Sequence, residues 1–178
     1  EDYGWKDAGM LSLAYFRIIE LELNQKIVLP LISSLKSIRD EYDNVLALCP
    51  RNQRDAVIKR WSRIIGEFEK IAAGNSEGLM LGELEKFFSN LSPASGGRGR
   101  SDSTLTTLLY NTISQLLSDP DGVDALNNGE FTKMVRYDVR NKFRNPPAHT
   151  KYLHIEVAKE CKKYVDEHLK KLFAWVKS

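Results

Sequence analysis

Three side chains towards the C-terminal end of this chain have types and spacing suited to chemistry on a phosphate. They stand in "RNPPAH", residues 144–149, where Arg144, Asn145 and His149 surround Pro146 and Pro147. Arg144 carries a permanent charge and a planar fork of N–H donors that matches a phosphate group. His149 belongs to the one side-chain type whose ordinary titration falls near neutral pH. The prolines dictate local geometry. A residue before proline is driven out of the helical region, so Asn145 is expected to be extended. Asparagine is also a good N-cap, and proline is well tolerated in a first turn. One helix should therefore end near Arg144 and the last should begin near Pro147, with His149 in its first turn. A helix start offers unpaired N–H groups and a partial positive charge, which attract phosphates and favour a neutral imidazole. An anion grip beside a proton acceptor suits phosphodiester cleavage. In RNA the 2′-hydroxyl can be the nucleophile, and that chemistry does not require a metal.

The surroundings are basic. Arg136, Arg140, Lys142, Arg144 and Lys151 crowd one stretch, with Asp138 as the acid among them. Arg136, Arg140, Lys142 and Lys151 are candidate nucleic-acid contacts, and Arg140 with Asn141 repeats the Arg-Asn pair one turn earlier. The competing account is a solvated charged face, with Arg144 in an ion pair and His149 capping a helix. Tyr110, Tyr137, Tyr152 and Tyr164 could stack on bases, although tyrosines at helical spacing more often pack in a core.

Other chemistries find less support. His154 and His168 have no second His or Cys three or four residues away on the same helical face, so a metal site is not indicated. The segment "DPDGVDALNNGE" (119–130) sets Asp119, Asp121 and Glu130 at calcium-loop positions. It fails at position five, Val123, and at position six, Asp124, where the turn needs glycine. The glycines of "SPASGGRGRSDS" (92–103) lack the order of a phosphate-cradling loop. Cys49 and Cys161 are far apart in no C-x-x-C pattern and read as reduced thiols.

The elements that must position "RNPPAH" are all helical in pattern. "MLSLAYFRIIELELNQKIVLPLISSLKSI" sets Leu11, Ala14, Tyr15, Ile18, Ile19 and Glu22 on one face. Leu21, Leu23, Ile27 and Leu31 form a second apolar edge, and Pro30 should kink or end the helix. "RDEYDNVLALC" continues helically to Pro50. In "QRDAVIKRWSRIIGEFEKIAA", Val57, Trp61, Ile64, Ile65, Phe68 and Ile71 recur every three or four residues until "GNSEG" interrupts. "LGELEKFFSNL" follows, with Leu81, Leu84, Phe87, Phe88 and Leu91 apolar. Beyond the Gly/Ser-rich stretch at 92–103, read as a mobile surface loop, comes "STLTTLLYNTISQLL". Then follow "EFTKMVRYDVRNKFRN" and the final "KYLHIEVAKECKKYVDEHLKKLFAWVKS". No segment alternates with a two-residue period. The expected fold is all-α: an antiparallel bundle of four long helices with shorter helices between them, forming one domain over residues 1–178.

On these residues the chain resembles the HEPN superfamily. "RNPPAH" is similar to that group's R-x₄₋₆-H motif, in which a polar residue often follows the arginine and a small one precedes the histidine. Asn145 and Ala148 fit. The long first helix, "LGELEKFF" and the motif just ahead of a long final helix are also similar to members of the group. The resemblance implies a helical bundle and a metal-independent endoribonuclease without cofactor. His149 would transfer protons at the 2′-hydroxyl or at the leaving 5′-oxygen, Arg144 would hold the scissile phosphate, and Asn145 would orient one of them. It further implies a homodimer with two motifs facing one groove, products ending in a 2′,3′-cyclic phosphate, and a toxin or effector role in stress or anti-phage defence, restrained by an antitoxin or companion domain. Two other readings stay open: a non-catalytic module binding RNA or a nucleotide, and a dimerisation domain of a larger regulator.

Composition bounds the rest. In 178 residues, 42% hydrophobic and 28% charged content is ordinary for a soluble globular domain, and a net charge of +2 does not by itself select a partner. No stretch approaches the ~20 apolar residues of a membrane span, and "EDYGWKDAGM" has no signal-peptide pattern. A cytoplasmic protein without membrane contact is expected. The missing initiator methionine suggests processing or excision from a longer protein.

Overall fold

A computed structural model describes residues 8–91, 101–117, 122–127 and 155–175, and the architecture over these residues is helical with no β-strand among them. Helix α1 (Ala8–Leu23) passes into a single π turn (Asn24–Val28) and then a short α2 (Leu29–Ile32). The π turn sits just ahead of Pro30. Leu29 N–H donates to Asn24 O, five residues back, so the ladder changes register where proline has no N–H to donate. The helix then ends within one turn: Ser33 N–H and Oγ both donate to Pro30 O, at 3.2 and 2.7 Å. Pro30 is thus preceded by a widened turn and soon followed by the end of the helix.

Helix α3 (Leu35–Leu48) runs to Cys49, which is extended because Pro50 follows it. Pro50 in turn stands as N-cap of α4 (Arg51–Ala72), its carbonyl accepting from Arg54 N–H at 3.1 Å. This tight corner folds α3 back along α4, and an Arg39–Glu69 ion pair at 2.8 Å ties the far ends together. Helix α4 buries Val57, Trp61, Ile64, Ile65, Phe68 and Ile71, the six positions its periodicity predicts. It ends in a left-handed glycine: Gly74 has φ +74°, Gly74 N–H donates to Ile71 O, and Asn75 N–H reaches Lys70 O at 2.8 Å.

Helix α5 (Leu81–Leu91) buries Leu81, Leu84, Phe87, Phe88 and Leu91, again as expected. Its rings meet those of α4, with Phe68 and Phe87 edge-on at 5.5 Å. Helix α6 (Ser103–Ser114) buries Leu105, Leu109 and Ile113, and the short α7 (Gly122–Asn127) puts Val123 and Leu126 into the same core. Helix α8 (Ile155–Trp175) packs against α1 and buries Ala158, Cys161 and Val165. No helix among the described residues is long and apolar enough to cross a membrane.

The first helix departs from expectation. Its buried line is Phe16, Ile19, Leu23, Ile27 and Leu31, whereas Ala14 and Ile18, assigned to the inner face, are exposed. Leu21, assigned to the second buried edge, is exposed too. Two apolar stripes share this helix, and periodicity alone does not say which turns inward. Glu20 and Asn24 decide it, because both are buried on the inner stripe and find backbone partners there.

Candidate functional site

The residues expected from sequence to carry phosphate chemistry lie outside the described part of the chain. Arg144, Asn145 and His149 do so, and with them Arg136, Arg140, Lys142 and Lys151. The described frame begins at Ile155, six positions beyond His149, where α8 starts. Ala158, Cys161 and Val165 seat that helix, the last two fully buried in the same core as Phe16, Leu23 and Trp61. Its outer face carries local ion pairs, Glu156–Lys159 at 2.8 Å and Lys162–Asp166 at 2.5 Å. Hydrogen bonding to Asp166 raises the Lys162 pKa.

Among the described residues, polar groups gather in two places. In the first, α1 grips the segment ahead of α5. Asn24 Nδ2 donates to Leu79 O at 2.8 Å and to Glu20 O at 2.7 Å, while Asn24 Oδ1 accepts from Leu79 N–H at 2.7 Å. Glu20 accepts from Leu81 N–H at 2.8 Å and pairs with Arg17, so a carboxylate of one helix caps the start of another. Glu83 completes the cap by accepting from Met80 N–H at 3.0 Å, and it is itself held by Arg63 at 2.8 Å. Gly78 is needed here: a Cβ on it would lie 2.4 Å from Asn24 Cγ. A shallow depression lies above, lined by Arg17, Leu21, Asn75, Glu77 and Met80. Its buried polar atoms are occupied by the clasp, which makes this a joint between elements.

The second place is Asp102, at the head of α6 and 1% exposed. Its side chain takes no part in capping α6; Oδ2 instead accepts from Trp61 Nε1–H and from Arg60, each at 2.7 Å. The carboxylate thus joins the head of α6 to α4, and Asn90 Nδ2 of α5 donates separately to Arg60 O at 2.9 Å. Next to it, the Cys49 thiol lies 3.1 Å from Ser101 Oγ. Cys49 and Cys161 are free thiols. The stretch at 92–103 was expected to be a mobile surface loop. Residues 92–100 lie outside the description, and Asp102 at its far end is a buried anchor.

No match to this chain is found among protein-family models, curated proteins or solved structures. Its site must be read from its own residues. Tyr110 and Tyr164 are half-buried against the core, which favours packing over base stacking; Tyr137 and Tyr152 lie outside the described residues. No group of three or more His, Cys, Asp or Glu is placed to hold a metal among the described residues. Val123, the misfit at position five of the calcium-like segment, is fully buried, while Asp119, Asp121 and Glu130 are not described.

Sequence reasoning passed over Glu20, Asn24 and Asp102, the three buried polar residues on which these joints turn. The first two had a faint signal. An acid and an amide one turn apart in "IIELELNQKIV" interrupt an otherwise apolar stripe. Asp102 had none, sitting among serines and glycines.

Proposed function

We propose that this chain is a HEPN-like helical bundle acting as a metal-independent endoribonuclease, with Arg144, Asn145 and His149 as its catalytic residues. The observation that carries this reading is the "RNPPAH" sequence ahead of the last helix of a chain that is helical over its described residues. The basic residues around it, Arg136, Arg140, Lys142 and Lys151, supply the electrostatic attraction a polyanion needs. The seating of α8 against α1 supports it further, because a catalytic histidine works only from a fixed base.

In the proposed reaction His149 takes the proton of a ribose 2′-hydroxyl. That oxygen attacks the adjacent phosphorus while the bond to the 5′-oxygen breaks, and the departing oxygen receives a proton. Arg144 holds the phosphate and offsets the charge that builds on its oxygens. One histidine cannot be base and acid at once, so a second copy of the motif in a homodimer would supply the second proton transfer. Such an activity fits a toxin or effector kept silent by an antitoxin or companion domain in the cytoplasm.

Cleavage and binding separate the components. With wild-type protein, single-stranded RNA is cut at low salt; His149→Ala lowers the rate by about 100-fold or more while RNA still shifts in a gel. Arg144→Ala weakens both, and raised salt weakens binding throughout. RNA equally intact with wild type and with His149→Ala removes the nuclease reading and leaves a binding module.

A further inference from the structure

We draw no further inference here: the strongest candidate, the exposed basic face of Arg51, Arg54 and Lys59 at the start of α4, rests on a helix N-terminus and surface cations interrupted by Asp55, and nothing in the structure shows what covers it.

Discussion

Truncating Asn24 to alanine would strip Leu79 of both its hydrogen-bond partners in a site with almost no access to water. Leaving a buried N–H and C=O unpaired costs about 2–4 kcal/mol together, which thermal or urea unfolding of Asn24→Ala should register. Gly78→Ala should cost about 1–3 kcal/mol by a different route, since its new methyl group would occupy the space of the Asn24 side chain. The two are coupled. Gly78→Ala placed in an Asn24→Ala background should cost clearly less than it does alone, because the obstructing side chain has gone. Equal cost in both backgrounds would mean that the clash is not what excludes a side chain at 78. None of this could be read from sequence, because Asn24 and Leu79 are 55 positions apart. The amide and its partner peptide meet only after α1 and α5 have packed.

At the scale of elements, legibility followed how many apolar stripes a helix carries. Helix α4 has one, and all six of its predicted inward positions are buried. Helix α1 has two, and the choice between them hangs on Glu20 and Asn24, whose partners are distant in the chain. The π turn was equally hidden: Pro30 signals a disturbance, but a widened turn ahead of it is only one of several ways to absorb it. The α3–α4 pair yields a pH test. Tyr42 is 5% exposed; burial raises its pKa, opposed by the nearby Arg39 guanidinium, 5.7 Å from the ring centre. A phenol with a raised native pKa keeps its proton longer in the folded chain than in the unfolded one. Its contribution to stability is therefore whole below about pH 10, the ordinary tyrosine value, and is lost as pH climbs from there through the native value. Urea unfolding between about pH 9 and about pH 11 should show a steeper loss for wild type than for Tyr42→Phe. Parallel profiles would mean that Tyr42 ionises as freely in the folded protein as in the unfolded.

For the whole molecule, the helical class was plain in the sequence and the joints that assemble it were not. Asp102, whose carboxylate ties the head of α6 to Arg60 and Trp61 of α4, sits in a stretch that reads as a Gly/Ser loop. The catalytic proposal was legible only as a resemblance: an arginine, an asparagine and a histidine grouped around two prolines ahead of the last helix. What the proposed function would require of the rest of the chain is a rigid base for that segment, which the packing of α8 on α1 could supply, and a second proton-transfer group. The most direct measurement is the chemistry of the ends produced when RNA is incubated with this protein in EDTA, beside His149→Ala. The account predicts fragments ending in 2′,3′-cyclic phosphate and beginning with 5′-hydroxyl, made by the wild type and nearly absent with the variant. Intact RNA, or ends bearing 3′-hydroxyl and 5′-phosphate, would contradict it.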